Sequence, residues 1–509
     1  MESLVGVDLG TTNIKAVAYD TCGQVLVECS RATPSTSQGT RQAIIDPQLL
    51  WQTTAHCLAE LIQQLPDPGA IVGMAIASVG EAGVPLDHSG QPLYPIIAWY
   101  DERTAPQAFR ASQRLGEKRI YQATGLPPGH TFSAFKLLWL QEHEPEVMRR
   151  LDCWLSVGDW ITYCLSGQKW MGYSQASRTL AFDLAQRKWW DEGLAELGLN
   201  VGIWPQLAAE GTRAGEITAQ AAILTGLREG TPVYLGGHDH VCGALASGAI
   251  RPGIVLDSTG TTEAELTTID QVSKHLAMAD LSFCLGCHVA RGTYYITGGI
   301  LGAGSLINWL AELLWPSQQL SRVEAIESLS KLAMQSPPGA NGLYLLPHLA
   351  GAGSPDRSST ARGVIAGLSL AHNRSDLARS AIEGLAFELR TLWEALVHHT
   401  GQPLERAIVA GGGARNILWN QTKADITGMV LQIPSNVEAV TRGAALLVGL
   451  GSGIYRDETQ ALAQTQQAMQ TIAPEPEARR FYETHFRGYI SKVRPQAVLL
   501  GRLVGQLLS

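Results

Sequence analysis

Long apolar runs and an excess of basic residues are both missing from this sequence. No stretch approaches the roughly eighteen consecutive apolar residues of a membrane-spanning helix, so we expect no association with a membrane. Lys and Arg total 38 against 46 Asp and Glu, and a formal charge of −8 argues against a broad nucleic-acid surface. The first residues, MESLVGVDLG, lack the basic region and apolar core of a secretory signal, so we expect a cytoplasmic location.

Cysteine is sparse, and only one of its spacings resembles a known motif. Eight cysteines are scattered through mostly apolar stretches, which is typical of reduced core residues. The segment CLGCH, residues 284–288, fits the spacing of a c-type haem attachment site. Haem attachment would require export, which the N-terminus does not support. We therefore interpret Cys284 and Cys287 as structural residues on two strands joined at Arg291-Gly292, with haem or a metal as the alternative.

Length and periodicity together predict two α/β domains. A chain of 509 residues exceeds what one hydrophobic core usually serves. Short strands at 4–7, 14–19 and 24–29 precede a helix that begins at Pro47 and runs to about Gln64. Strands that alternate with helices in this way indicate mixed or parallel sheets covered by helices.

The β-rich pattern starts afresh in the middle of the chain, near residue 253. We therefore place an N-terminal domain at 1–248 and a C-terminal domain at 249–490, with a tail at 491–509. Since no low-complexity linker separates the two domains, we expect a tight hinge near residues 246–253.

An internal repeat opens both halves of the chain. DLGTTNIK at 8–15 and DSTGTTEAE at 257–265 share Gly-Thr-Thr in a strand–turn–strand setting. Glycine allows close backbone approach, and consecutive N–H groups in a turn form an anion-binding concavity, so two facing hairpins would suit a polyphosphate. Asp8 would lie beside those phosphates only with a bridging Mg²⁺, and Lys15 adds positive charge. Neither hairpin is a Walker P-loop, and the alternative is two unrelated threonine-rich turns.

With the two hairpins, five motifs in a fixed order resemble the FGGY carbohydrate kinases of the actin-like ATPase superfamily. The hairpins are similar to the phosphate-1 and phosphate-2 motifs of that fold. VAGGGARNILWNQTKADITG at 409–428 resembles its adenosine motif, closest to xylulokinase-like members. TFSAFKLLWLQEH at 131–143 and GVIAGLSLAHNRSDLARSAIE at 363–383 resemble the two family signatures. The resemblance implies two actin-like (ribonuclease H-like) domains, each a mixed sheet flanked by helices, with the active site in the interdomain cleft.

The resemblance also implies a set of nucleotide-binding residues. Three glycines before a helix, at 411–413, let backbone lie flat against a base or ribose. For Gly304 the alternative is close packing of a helix on a sheet. The residues expected to bind ATP are Thr11, Thr12, Asn13, Lys15, Gly260, Thr261, Thr262, Gly304, Asn308, Gly412, Gly413 and Asn416.

Asp239 is the candidate catalytic residue. GGHDH follows a predicted strand and precedes a helix, and the carboxyl end of a strand is a common active-site position in α/β folds. The aspartate matches the catalytic aspartate of the family, which implies a general base acting on a sugar hydroxyl. Asp8 and Asp239 are the expected Mg²⁺ ligands. The alternatives are a helix-capping role for Asp239 and a weak metal site at His238-Asp239-His240.

The substrate end is less specific. SVGEAGVPLDHSGQPLYPIIAWYDERT at 78–104 corresponds to the family segment that contacts substrate hydroxyls, and we expect Glu81, Trp99, Asp101, Arg103 and His238 to bind the sugar, beside Asp239. Glu81 stands where xylulokinase-like proteins have His and glycerol-kinase-like proteins have Glu. For Asp101 and Arg103 the alternative is a plain surface ion pair.

These inferences predict an ATP-dependent kinase that phosphorylates a primary hydroxyl of a small ketose or polyol. A pentulose-type substrate is preferred, with a glycerol- or tetritol-type polyol as the alternative. A non-catalytic sugar or nucleotide sensor, and a phosphatase or chaperone-type ATPase, are the other classes considered. We expect a small sugar or polyol partner, no nucleic acid, and a possible homodimer.

Overall fold

The computed structural model describes residues 2–37, 42–315, 322–436 and 438–508. The chain folds into two units, each with its own sheet. The first unit comprises Met1–Ile250, Ile269–Ile296 and Glu438–Gln466, and the second comprises Arg251–Thr268, Thr297–Val437 and Gln467–Ser509. In the described parts of the chain, no helix is both long enough and apolar enough to cross a membrane.

The first unit contains most of the strands and many short helices. Its strands are Ser3–Leu9, Asn13–Asp20, Val25–Ala32, Ser35–Ser37, Ala43–Ile45, Ile71–Ser78, Gly83–Leu86, Ile96–Ile97, Cys153–Ser156, Trp170–Gly172, Phe182–Asp183, Lys188–Trp189, Gln206–Ala208, Arg213–Glu216, Pro232–Tyr234 and Cys284–Cys287. Its α-helices are Pro47–Gln64, Ala105–Leu115, Glu117–Thr124, Ser133–His143, Pro145–Arg150, Val157–Ser166, Tyr173–Ala176, Asp191–Leu197, Ala219–Thr225, Asp239–Ser247, Val272–Met278, Ala439–Ser452 and Glu458–Gln464.

The second unit has fewer but longer elements. Its strands lie wholly or mostly in this unit and are Ile254–Thr259, Glu263–Ile269, Tyr294–Ile300, Tyr344–Leu346, Val364–Ala366, Arg406–Ala410, Leu431–Pro434 and Met469–Ile472. Its α-helices are Ala303–Leu314, Arg322–Ala333, Arg374–Thr400, Ile417–Thr427, Pro476–Gly488 and Arg494–Leu508, with a π-helical turn at Tyr489–Val493.

Both sheets are mixed and share one local plan. In the first unit, Ser3–Leu9 pairs antiparallel with Asn13–Asp20 and parallel with Ile71–Ser78. In the second, Ile254–Thr259 pairs antiparallel with Glu263–Ile269 and parallel with Arg406–Ala410. The repeated hairpin predicted from the sequence is therefore present in both sheets. The four hairpin strands are mostly buried, as expected for sheets covered by helices.

Local sequence signals explain the helix that covers the first sheet. Asp46 accepts hydrogen bonds from the N–H groups of Gln48 and Leu49, and Pro47 occupies the first turn, where no N–H partner is needed. The helix ends at Gln64, as predicted, and its buried face includes Leu58.

Each unit is made of three separate segments of the chain, whereas the sequence analysis placed the domains in two continuous ranges, 1–248 and 249–490. The helix Ala439–Ser452 packs on the first strand, where Gly6 leaves room for the Thr441 carbonyl, and the Tyr19 hydroxyl lies 2.8 Å from Thr441 Oγ1. These contacts place residues 438–466 in the first unit.

The segment 491–509, predicted as a tail, instead forms the helix Arg494–Leu508 and packs within the second unit. Gly505 lies against the Thr360 carbonyl, and Arg494 Nε donates to Glu388 Oε1 at 2.6 Å. Because Glu388 is buried, this pairing anchors the start of the helix.

Candidate active site

The Gly-Thr-Thr turn of the first unit presents polar groups to solvent at the end of a buried hairpin. Thr11, Thr12 and Asn13 are exposed. A residue next to the third strand holds the turn in place: Thr33 Oγ1 donates a hydrogen bond to the Gly10 carbonyl at 2.7 Å. Trp99 Nε1 donates to Thr11 Oγ1 at 3.0 Å, so the predicted sugar-side segment and the predicted phosphate turn are in contact.

Asp8 lies directly opposite Lys15 in the hairpin, but the closest partner of Lys15 is another carboxylate. Lys15 Nζ instead donates to Glu438 Oε2 at 2.6 Å, which neutralises the positive charge expected to face a phosphate. Asp8 Oδ1 is buried and receives no hydrogen bond within the described chain. Burial, and then the nearby negative charge of Asp239, raise the pKa of Asp8 well above its ordinary value.

Asp239 begins the helix Asp239–Ser247 at the end of a short strand segment. Gly236 is required there, because a Cβ would overlap the carbonyl of Ile76 on the neighbouring strand. Burial raises the pKa of Asp239 to about 7, with a smaller contribution from Glu81, while the His240 N–H, 2.6 Å from Oδ1, acts in the opposite sense. His238 is the N-cap residue of this helix and Asp239 is its first residue, so Asp239 does not occupy the N-cap position of the alternative interpretation.

Two histidines flank this carboxylate and remain neutral. Burial, and then the charge of Arg178, lower the pKa of His238 well below its ordinary value. His240 is lowered mainly by burial, and the two rings stack with centroids 5.5 Å apart. His238 Nε2 lies 3.3 Å from Asp239 Oδ1. Buried neutral rings beside a carboxylate can orient a hydroxyl without competing for its proton.

Glu81 is held by a residue that the sequence motifs did not include. Arg178 Nε and Nη2 donate to Glu81 Oε1 at 2.7 and 2.5 Å. Burial of Arg178 opposes its charge, but the carboxylate of Glu81 prevails and raises the pKa of the guanidinium. The only sequence signal for such a partner was the requirement that a carboxylate beside buried residues have a cation; nothing indicated which arginine supplies it.

Asp101 and Arg103 form a buried pair rather than the plain surface pair of the alternative. Arg103 Nε and Nη2 donate to the two oxygens of Asp101 at 2.9 and 2.8 Å, and the Ala43 N–H donates to Asp101 Oδ2. The Asp101 side chain is 0% exposed. With both oxygens engaged, Asp101 is better placed to anchor this segment than to accept a substrate hydroxyl, so its role as a sugar ligand stays a prediction that the geometry does not favour.

An apolar hollow in the first unit accompanies these polar groups. Thr11, Val79, Ala82 and Trp99 are among the residues that line it. Carbohydrate sites commonly combine such a face, for C–H groups, with a few placed polar groups.

In the second unit, three predicted nucleotide-binding segments meet at one turn. A Cβ on Gly304 would overlap the Gly260 carbonyl, so the helix Ala303–Leu314 begins against the phosphate-2 turn. The Ser305 N–H donates to the Thr261 carbonyl at 3.2 Å. A Cβ on Gly413 would overlap the side chain of Thr259, the last residue of the strand Ile254–Thr259 that leads into the turn. The structure thus brings Gly260, Thr261, Thr262, Gly304 and Gly413 together.

Three other predicted nucleotide-binding residues of the second unit, Gly412, Asn416 and Asn308, have surroundings of their own. Gly412 is exposed and has open space where a Cβ would stand, which leaves a flat surface for a base or ribose. Asn416 caps the helix Ile417–Thr427 by accepting from the Trp419 N–H at 3.1 Å, and its Nδ2 donates to Ser330. Asn308 is half-buried on the helix Ala303–Leu314.

Behind this turn lies a buried charge cluster that sequence reasoning missed. Asp257 and Glu265 face each other across the hairpin, and Glu263 is close by. Lys423 donates to Asp257 Oδ2 at 2.7 Å and also pairs with Glu263. Burial, with Asp257 and Glu263 adding to it, raises the pKa of Glu265 well above its ordinary value, because one ammonium cannot neutralise three carboxylates. Three acids on otherwise apolar strands were the available signal for a buried lysine.

The CLGCH segment is packed in the interior. Cys284 and Cys287 belong to one buried strand, and burial raises the pKa of Cys287 to about 12. His288 is buried, and its Nδ1 accepts the Ala290 N–H at 2.9 Å. These contacts agree with structural cysteines.

Comparisons with known proteins identify the family of this chain. The FGGY family of carbohydrate kinases, N-terminal domain, matches residues 3–246, and its C-terminal domain matches residues 255–451. The chain is 30% identical to a xylulose kinase of Staphylococcus epidermidis over 96% of both chains, and 28% identical to a glycerol kinase of Citrifermentans bemidjiense over 97% and 98%. The crystal structure of gluconate kinase from Lactobacillus acidophilus superposes with a TM-score of 0.89 at 23% identity, covering 97% of this chain and 98% of that one.

Two sheet-rich α/β units and the matches to both domains of a carbohydrate-kinase family define the class of this protein: it is a carbohydrate kinase, an enzyme whose phosphoryl donor is ATP. The chain belongs to the FGGY family of carbohydrate kinases. Its relatives support a sugar or polyol as the acceptor.

Proposed function

We propose that this enzyme transfers a phosphoryl group from Mg-ATP to a primary hydroxyl of a small ketose or polyol, with a pentulose preferred. The observation that carries the proposal is Asp239, a carboxylate whose pKa burial raises to about 7. A base with such a pKa is partly ionised at neutral pH and still basic enough to take a hydroxyl proton. Its neighbours are the neutral His238 and His240, which can hold the acceptor in line.

The phosphates are proposed to lie against the exposed Thr11–Asn13 turn and the Gly260–Thr262 turn, with the adenosine near Gly412. Asn308 and Lys15 complete this proposed set. Backbone N–H groups at such turns suit phosphate oxygens.

Asp8 fits a divalent cation. Its buried Oδ1 receives no hydrogen bond within the described chain, and its pKa responds to the charge of Asp239, so the two carboxylates are near each other. Oxygen ligands of this kind suit Mg²⁺, which would neutralise charge on the phosphates when bound by Asp8 and Asp239.

The acceptor is proposed to lie between Glu81, Trp99 and Asp239. Trp99 and Val79 offer an apolar wall for C–H groups, and Glu81 can accept a hydroxyl proton in a hydrogen bond. Glu81 also favours a glycerol- or tetritol-type polyol as the second candidate, since glycerol-kinase-like proteins resemble this chain at that position.

The test is a panel of pentuloses, hexuloses, tetritols, glycerol and gluconate, scored by ADP formation coupled to a dehydrogenase. We expect ADP release to depend on the added carbohydrate and to be fastest with a pentulose. ADP release that no carbohydrate changes would instead support an ATPase without a sugar acceptor. The homodimer stays a prediction.

A further inference from the structure

Arg178, which is not among the residues proposed to bind or react, forms an ion pair with the proposed substrate ligand Glu81. Two of its nitrogens donate to a single oxygen of Glu81, and both side chains are largely buried, at 11% and 10% exposure. The hydrogen bonds that Glu81 accepts through its side chain, within the described residues, all go to Oε1. Its second oxygen, Oε2, is therefore left to accept from something else.

The backbone at Glu81 is also held in an unusual state. Its φ is 64°, in the left-handed region that residues other than glycine rarely adopt. Ser133 Oγ donates to the Glu81 carbonyl at 2.9 Å and secures this turn from the neighbouring helix. A strained residue fixed at both its carbonyl and its side chain points to a carboxylate whose orientation matters.

Gly80 and Arg178 are matched in shape. A Cβ on Gly80 would lie 3.0 Å from Arg178 Cγ and 3.0 Å from the His238 ring. The space that a side chain at 80 would take is therefore filled by Arg178 and by the histidine that precedes the catalytic aspartate. The guanidinium carbon also lies 5.4 Å from the centre of the Phe132 ring, which supports the same orientation.

We propose that Arg178 is a positioning residue that orients Glu81 so that Oε2 accepts one substrate hydroxyl, and that this pairing selects uncharged polyols over sugar acids. The proposal rests on the proposed function. A sugar acid would bring a further carboxylate toward Glu81 and Asp239. The one guanidinium nearby, Arg178, already balances the charge of Glu81, although its Nη1 has no hydrogen-bond partner among the described residues. Arg103 is likewise committed to Asp101. An uncharged polyol carries no such penalty and satisfies the free oxygen.

The test is a double-mutant cycle on kcat/KM for the best uncharged substrate, with Arg178→Met, Glu81→Gln and the double variant. We expect Arg178→Met to raise KM for the sugar by about 10- to 100-fold, with KM for ATP unchanged within about twofold, because a hydrogen bond to a charged group is lost. The double variant should be no worse than Glu81→Gln alone within about twofold, since Arg178 acts through Glu81.

Arg178→Met leaves a buried carboxylate unpaired and can fail to fold. Arg178→Lys, which keeps the charge but loses the planar fork, and the double variant, which removes both charges, then carry the test. Lysine should still raise KM for the sugar by about 3- to 10-fold. Arg110→Met is the matched control, because the Arg110–Glu142 pair is about half exposed, and it should leave both KM values unchanged.

Losses that multiply in the double variant, or an unchanged sugar KM in the Arg178 variants, would overturn the role of Arg178. Gluconate as a better substrate than every uncharged polyol would overturn the selectivity. If the wild-type enzyme releases ADP with no member of the panel, the proposed function fails, and this inference fails with it. Sugar-dependent ADP release by the wild type with normal Arg178 variants contradicts this inference alone.

Discussion

The hairpin of residues 3–20 and the hairpin of residues 254–269 share a backbone plan, but they differ in how their acidic residues are satisfied. In the first, Asp8 faces Lys15 across the strands, yet Lys15 pairs with Glu438 and Asp8 Oδ1 is left without a hydrogen bond in the described chain. In the second, Asp257 faces Glu265 and is bonded to both Thr259 and the buried Lys423.

If Asp8 binds the proposed cation, this difference separates function from stability within one repeated motif. The Gly-Thr-Thr turn is a backbone device that both units use to present N–H groups and hydroxyls. Asp8 Oδ1 is unsatisfied in the first unit, where a cation is proposed to bind, whereas Asp257, at the matching position in the second, is paired with Lys423. Among the described residues, the unsatisfied carboxylate oxygens of the second hairpin belong to Glu263 and Glu265. A buried unpaired oxygen is costly in a folded protein and calls for an explanation, which the proposed cation supplies for Asp8.

The largest expected effect is on chemistry in the first unit. Asp239→Asn removes the proposed base with little change in shape, so kcat should fall by about 10²- to 10⁴-fold. ATP affinity, measured by titration calorimetry, should remain within about threefold, because the adenosine is proposed to bind to the second unit. Undiminished turnover in this variant would remove Asp239 from its role.

The next effect contrasts Lys15, which lies on the first hairpin, with Lys423, which lies on the helix Ile417–Thr427 and pairs with Asp257 of the second hairpin. Lys423→Met leaves three buried carboxylates without a cation and should lower the apparent free energy of unfolding by about 3–5 kcal/mol. Lys15→Met breaks a pair whose side chains are 30% and 33% exposed and should cost less than about 1 kcal/mol. Denaturant unfolding of both variants measures the difference, and equal losses would contradict it.

A smaller effect concerns the close contact at the second turn. Gly304→Ala places a methyl group on the Gly260 carbonyl and should cost about 1–3 kcal/mol. Gly412→Ala meets nothing within contact distance and should stay within about 0.5 kcal/mol, which makes it the matched control. Thermal unfolding compares the two; a stable Gly304→Ala protein would show that the helix can move away from the turn.

The last effect, no more than about 1.4 kcal/mol over any one pH unit, is on pH dependence. Burial, with Asp257 adding to it and Lys423 opposing it, raises the pKa of Glu263 to about 7, so the folded state holds a proton that the unfolded chain releases near pH 4.5. The contribution of Glu263 to the free energy of unfolding is therefore fully present below about pH 4.5. It decreases as the pH rises toward 7, by up to about 1.4 kcal/mol per pH unit. Glu263→Gln should flatten the free energy of unfolding between pH 5 and 7, measured by denaturant titration. A slope equal to that of the wild type would show that Glu263 is ionised in the folded state.

Much of the fold follows from local signals. The hairpins, the Asp46-capped helix and the strand before Asp239 depend on alternation, capping and glycine over a few residues, and all are present. The helix around Asp376 and the helix after the Gly411–Gly413 segment follow in the same way.

The partners of the charged side chains could not be predicted from such local signals. Lys15 meets Glu438, which is 423 positions away, and Glu81 meets Arg178, 97 positions away. A single sequence contains no periodicity that links such residues, since their contact is set by how distant elements pack. The same reason explains why residues 438–466 join the first unit. Asp101 and Arg103 are only two positions apart, but the sequence did not indicate that their pair is buried, and the role of Asp101 as a sugar ligand stays a prediction.

The most direct test is the rate of sugar-dependent ADP release by Asp8→Asn, measured at saturating Mg-ATP on protein whose unfolding midpoint matches that of the wild type. If the unsatisfied carboxylate of the first hairpin serves a bound cation, the rate should fall by about 100-fold or more while the fold remains intact. A wild-type rate in the folded variant would show that Asp8, like Asp257, has no part in the chemistry.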